Sequence, residues 1–206
     1  MPKLGMQEIR RPQLIESTLL TIDEVGLQGA TVAMISKRAG VSVGIISHYF
    51  NGKCGLLEAT MRSVLKELAE SIRQRLREVD SDDVEERIKA IVRGNFDPQQ
   101  IDRKVVKTWL AFWAQAMHEP SLYRLQRVNE KRLLSQLRYE LTRILPRPKA
   151  EIVAAGVAAL IDGMWLRAAL SSDGFNGEKA QEVISNYLST YLSIDKKGGG
   201  VRSDER

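Results

Sequence analysis

Ser42, Val43, Gly44, Ser47 and His48 fall on one outer face of a short predicted helix, and their side chains are small or polar. A face of that kind suits close docking against base edges and phosphates, where bulk would hold the helix away. Tyr49 and Lys53 follow directly, and Arg10 and Arg11 stand at the start of a preceding helix, where guanidinium groups are plausible phosphate contacts. The two arginines equally suit a solvated helix end. A second group combines aromatic rings with a carboxylate. Trp109 and Trp113 lie four apart on one helix face, and Asp162 and Trp165 lie three apart in an otherwise apolar run. Tyr123 and Glu130 belong to the segment between them. Rings at helical spacing fit plain core packing as well as a binding site. A carboxylate among Ala158, Leu160, Ile161 and Met164 must be hydrogen-bonded, paired or near a pocket.

The elements that hold the first group are written in Thr31 to Phe50. Thr31 is a good N-cap, and Val32, Ile35 and Ala39 recur behind it at helical spacing. Gly40 supplies the positive φ of a sharp corner, and Ser42 caps a second helix whose Ile45, Ile46 and Tyr49 turn back onto the first. Two short helices joined in this way present one of them to a DNA major groove. A helical hairpin in any all-α protein carries the same punctuation, so context decides. Asn51-Gly52-Lys53-Cys54-Gly55-Leu56-Leu57 leads at once into a long helix, and one helix precedes the pair.

Helical periodicity dominates the remainder, and no segment alternates as an amphipathic strand would. The first helix spans about 10–25, with Leu14, Ile15, Thr18, Leu19 and Ile22 inward and Gly26 as its stop. A long helix over about 52–79 puts Leu57, Met61, Val64, Leu65, Leu68, Ile72 and Leu76 on one face, and Arg62, Lys66, Arg73, Arg75 and Arg77 on a solvated one. Ser81-Asp82-Asp83 caps a helix to about Gly94, and Asp97-Pro98 is expected to open the next. Four more segments follow, over 101–118, 121–145, 150–170 and 178–194. The expected fold is all-α with about nine helices. Residues 1–56 form a three-helix DNA-binding module, 57–195 a larger ligand-binding and dimerisation bundle, and 196–206 a disordered tail.

Composition sets limits on function. With 31 basic and 26 acidic residues the net charge is +5, which permits nucleic-acid binding without indicating it. The first 56 residues hold six basic against four acidic side chains, a net of +2. That modest charge and the large apolar C-terminal part argue against a non-specific DNA coat protein. Only two histidines are present, one of them inside the helical pair, and no phosphate loop or metal-ligand cluster is visible, so neither catalysis, a metal nor a cofactor is expected. Cys54 is the single cysteine, which fits a reducing compartment; a helix N-terminus could lower its thiol pKa. No apolar run follows Met1, and Ile152 to Ile161, a buried helix in this reading, is too short to span a bilayer. The chain is expected to be cytoplasmic, with no membrane partner.

A helix before the pair, then Gly44-x-x-x-x-Tyr49-Phe50, Lys53 and Leu56-Leu57, resembles the TetR family of bacterial repressors, and Gly44 to Phe50 is similar to the reading helix of its BetI-type, choline-responsive branch. Trp109-Leu110-Ala111-Phe112-Trp113 and Ile161 to Arg167 carry a looser likeness. Ser47 stands where most members have tyrosine, and Cys54 where many have an acidic residue. The resemblance implies a homodimer on double-stranded operator DNA, with the last two helices as its interface and a small cationic inducer in the bundle. It also implies choline as that inducer and the genes of glycine betaine synthesis as the target; the alternative is a TetR-type repressor that answers another organic cation or a drug. The aromatic group fits either, because a quaternary ammonium has no N–H to donate and is held by ring faces and a balancing carboxylate. Trp109, Trp113, Tyr123, Asp162 and Trp165 are then the candidate ligand residues.

Overall fold

A computed structural model describes residues 5–171 and 175–198. Among them lie nine helices and no strand: α1 (Gly5–Gly29), α2 (Val32–Arg38), α3 (Val43–Phe50), α4 (Lys53–Arg77), α5 (Val84–Asn95), α6 (Arg103–Ala116), α7 (Pro120–Leu141), α8 (Arg147–Leu170) and α9 (Gly177–Gly198).

The N-terminal corners follow the local signals closely. Thr31 accepts a hydrogen bond from the Met34 N–H at 3.1 Å, so one of the four free N–H groups of α2 is satisfied. Gly40 takes φ +65°, and the Val41 N–H reaches back to the Ser36 carbonyl at 2.9 Å. Ser42 occupies the cap position of α3, but its hydroxyl makes no capping bond. Gly26 does leave helical geometry, at φ +69°, yet one more turn carries α1 on to Gly29.

Two apolar clusters organise these helices. Leu14, Ile35, Ile46, Phe50, Leu56 and Ala59 close a small core under α1–α3 and the first turns of α4. The larger core runs from Leu19, Ile22, Leu57 and Met61 through Ile88, Phe112, Leu137, Val157 and Ile184. Both α1 and α4 therefore contribute to both clusters.

Several predicted boundaries move, each for a physical reason. Asp97-Pro98 does not open a helix. The Asp97 carboxylate instead accepts from Arg75 at 2.8 Å, Ser71 at 3.1 Å and the Gln99 N–H at 3.1 Å, which pins the loop after α5 onto α4. Burial alone would raise this carboxyl, but those hydrogen bonds outweigh it and hold it below the usual aspartate range. Arg75 thus belongs to an interhelix tie rather than to a solvated face. Asp102 caps α6 through the Lys104 N–H, so that helix begins at Arg103. Pro120 is the first residue of α7, where its missing N–H costs nothing, and α7 stops at Leu141. The last helix runs past 196 to Gly198, and the rest of the predicted tail, 199–206, lies outside the described residues.

Helix α8 is long and apolar enough to cross a membrane, yet it packs in the bundle. The buried helix expected over 152–161 is only half buried. Val153, Ala154 and Val157 face the core, while Ile152, Ala155 and Ala159 are exposed.

Helices α4 and α5 approach closely at Gly94. A methyl group built there would sit 2.6 Å from Ile72 Cγ1 and 2.8 Å from the Ile72 Cα. Gly94→Ala is accordingly expected to destabilise the fold by about 1–3 kcal/mol through overpacking, read as a lower urea midpoint. An unchanged midpoint would mean that α4 and α5 separate freely.

Candidate nucleic-acid interface and ligand cleft

Helix α3 buries Ile46 and Phe50 and tucks Ile45 and Tyr49 partly beneath itself, which leaves Ser42, Val43, Gly44, Ser47 and His48 exposed on one surface. No atom lies within 4 Å of the position a Gly44 Cβ would take. Nothing inside the protein requires a glycine there. The Arg11 guanidinium sits 5.4 Å from the Phe50 ring centroid and shares a surface depression with Ser47, His48 and Tyr49. Arg10 is half-buried and does not line that depression. Thr31 is exposed but already spends its oxygen as a cap. Lys53 behaves as a brace: its Nζ donates to the Leu27 carbonyl at 2.5 Å and so joins the start of α4 to the end of α1.

Cys54 does not have the activated thiol expected of a helix N-terminus. Partial burial, then the nearby Glu119 and Glu58 carboxylates, push its pKa up.

Three tryptophans from two helices meet in the larger core. The Trp109 ring centroid is 5.6 Å from Trp113 and 5.8 Å from Trp165, at tilts of 47° and 53°. With Asp162 they line a narrow cleft of about 30 Å³, open at one side, between α4, α6, α7 and α8. That is room for about two water molecules, well under the roughly 300–1,000 Å³ common for small-molecule sites, so a ligand of choline's size requires the cleft to widen. The Trp113 N–H donates to Gln126 Oε1 at 3.3 Å, but the N–H of Trp109, a ring only 4% exposed, is buried with no acceptor.

Asp162 makes no ion pair with Arg167 or with any other described residue. Its carboxylate is open toward the cleft, while the surrounding protein desolvates it and the Glu130 carboxylate repels its charge; together these raise its pKa to about 6. A group held in this way favours a cation beside it. Tyr123 is not part of the arrangement: it is 53% exposed on the first turn of α7, away from the residues that line the cleft.

Sequence reasoning missed the wall that α7 supplies. Asn129, Arg132, Leu133 and Gln136 line the cleft opposite the rings, together with Leu65, Leu68, Ala69 and Ile72 of α4. Their spacing of three, one and three was a readable signal for a single helix face. Also missed were the ties between α1 and α6. Lys104 Nζ reaches Glu16 at 2.8 Å, and Lys107 Nζ reaches the Asp23 carboxylate and carbonyl, each at 2.7 Å.

Asp162→Asn is expected to stabilise the protein at pH 7.5 by about 1 kcal/mol, after allowance for solvent screening on the open side. A carboxyl with a raised folded-state pKa of about 6 favours the folded state while protonated, and its ionisation costs stability as pH rises through that value. The gain should therefore fade toward pH 4. Urea denaturation at pH 4.5 and 7.5 reads the difference, and equal gains at both would contradict the assignment.

Residues 14–60 match the bacterial regulatory proteins of the tetR family, and residues 84–193 match the C-terminal domain of BetI-type transcriptional repressors. The chain is 54% identical over 197 residues to the HTH-type transcriptional regulator BetI of Yersinia pestis, covering 96% of this chain and 100% of that one. It is 52% identical to the BetI regulator of Vibrio atlanticus over 94% of this chain and 97% of the other. Among solved structures, a transcriptional regulator from Rhodococcus superposes with a TM-score of 0.77 at 24% identity over 94% and 99% of the two chains. A Saccharomonospora viridis protein solved in complex with choline superposes at 0.76, with 18% identity over 89% and 97%, a likeness of fold. The chain belongs to the TetR family of DNA-binding transcriptional regulators, with a BetI-type C-terminal domain.

Proposed function

We propose that this regulator represses the genes of choline-to-glycine betaine synthesis in the cytoplasm and leaves its operator when choline enters the tryptophan-lined cleft. The observation that carries this reading is the meeting of Trp109, Trp113 and Trp165 in one cleft lining with the unpaired Asp162. Three ring faces at roughly 0.5–2 kcal/mol each, plus one carboxylate, match the needs of a cation without N–H donors. The choline complex of the S. viridis protein is in keeping with it.

Operator reading falls to α3. Its exposed Ser42, Val43, Gly44, Ser47 and His48 approach the major groove, and Arg11 and Tyr49 at its flank reach backbone phosphates. Lys53 has two ammonium protons left for a phosphate after bracing Leu27. The protein acts as a homodimer through α8 and α9. Ile152, Leu166 and Leu170 remain exposed in the single chain, and with Ala155 and Ala159 they form an apolar stripe along α8 that a second copy would cover. Two reading helices then address half-sites roughly 34–36 Å apart.

Release follows from linkage: whatever factor choline takes from operator affinity, the operator takes from choline affinity. Two paths join the cleft to the reading head. Helix α4 lines the cleft with Leu65 and Leu68 and holds the head with Leu56. Helix α6 carries Trp109 and Trp113 and, two and five residues before Trp109, the lysines bonded to α1.

Fluorescence anisotropy of a labelled duplex from upstream of the protein's own gene tests this reading. Saturable binding reversed by choline, and no reversal in Trp109→Ala, is the expected result. Binding untouched by choline, but reversed by a bulkier organic cation or a drug, would keep the repressor and replace its inducer. Gly44→Leu separates folding from reading. The open space around Gly44 leaves the melting temperature nearly unchanged, whereas the added side chain should weaken operator binding at least about tenfold, or about 1.4 kcal/mol. Full operator affinity in that variant would remove α3 from the interface.

A further inference from the structure

The cleft does not end at the tryptophans. Leu65, Ala69, Asn129, Arg132 and Gln136 also line a broader groove of about 570 Å³ between α4 and α7, so the two spaces adjoin across these five side chains. The groove is cationic, with Arg62, Lys66, Arg73 and Arg132 along it and no carboxylate in its lining. Arg62 is neutralised by Glu58 at 2.7 Å and Arg73 by Glu70 at 2.6 Å. Lys66 and Arg132 have no acidic partner among the described residues.

These two charges contribute nothing to the holding of a simple cation among the rings. Asp162 and Arg132 line the same cleft with opposite charge, yet they form no ion pair with each other. Two unpaired opposite charges in one cavity call for a ligand that carries both signs. At the open side the complement is two unpaired cations, Arg132 and Lys66, which together balance a dianion better than a single carboxylate. A guanidinium fork also matches phosphate oxygens two at a time.

We propose that the cleft takes a phosphorylated quaternary ammonium compound, with the trimethylammonium head among Trp109, Trp113, Trp165 and Asp162 and the phosphate on Arg132 and Lys66. This assignment rests on the choline reading above for its aromatic end and extends it toward α7.

Isothermal titration of the full-length protein with choline, phosphocholine and glycine betaine tests it. Phosphocholine should bind at least tenfold more tightly than choline and displace it. In Arg132→Gln, an exposed substitution, the ratio of the two affinities should fall to within about threefold, and Lys66→Gln should lower it in the same direction. Choline binding with phosphocholine no tighter would overturn this proposal and leave the choline reading intact. A phosphocholine advantage that survives in Arg132→Gln would overturn the placement of the phosphate. Glycine betaine binding as tightly as phosphocholine would overturn the assignment to phosphate rather than carboxylate. Failure of both choline and phosphocholine to bind would overturn both readings together.

Discussion

Leu56 and Leu57 are neighbours on α4, about 100° apart around its axis, and they are buried in different cores. Leu56 closes the cluster with Leu14, Ile46 and Phe50; Leu57 joins the one with Leu19 and Met61. The same division occurs on α1 between Leu14 and Leu19. Because close-packed cores resist small displacements, neither helix can rotate or slide without disturbing both clusters. The reading head is thereby fixed to the bundle through two rigid helices, and a change at one end is felt at the other. Everything else in the fold depends on that shared ownership of α1 and α4.

The electrostatics reinforce it at one point and break it at another. Lys104 and Lys107 fasten α6 to Glu16 and Asp23 of α1, and the bond to Glu16 raises the Lys104 pKa above the usual lysine range. Two residues beyond Lys107 begins the aromatic wall of the cleft. In the cleft itself the charges are left unmatched. Asp162 is without a partner, and desolvation by the surrounding protein leaves its charge at a cost. Buried polar groups without a partner are uncommon, and the unbonded N–H of Trp109, a residue of the same lining, is one of them.

Much of this was legible in the residues. The Thr31 cap, the Gly40 corner and the outward set from Ser42 to His48 are decided within a few positions of one another, so local rules suffice. The meeting of three tryptophans was also readable, since α6 and α8 each carry their rings at helical spacing. Tyr123 was misplaced because facing α6 across a loop does not determine which side of α7 turns inward. The wall formed by Asn129, Arg132 and Gln136 stayed hidden for the opposite reason: polar residues at helical spacing look like a solvated face until another helix is laid over them. Asp97 was taken as a helix opener on its proline neighbour, whereas its hydrogen bonds to Arg75 and Ser71 on α4 depend on contacts more than twenty residues away.

The central claim is that occupation of the cleft moves the reading heads, and a distance measurement addresses it directly. Cys54 is the single cysteine, is exposed, and stands at the start of α4. Spin labels attached there in the proposed dimer report the separation of the two heads by electron–electron double resonance. The account predicts one separation on operator DNA and a different one, shifted by several ångströms, with saturating choline; Trp109→Ala should show no shift. An identical separation with and without bound choline would contradict it.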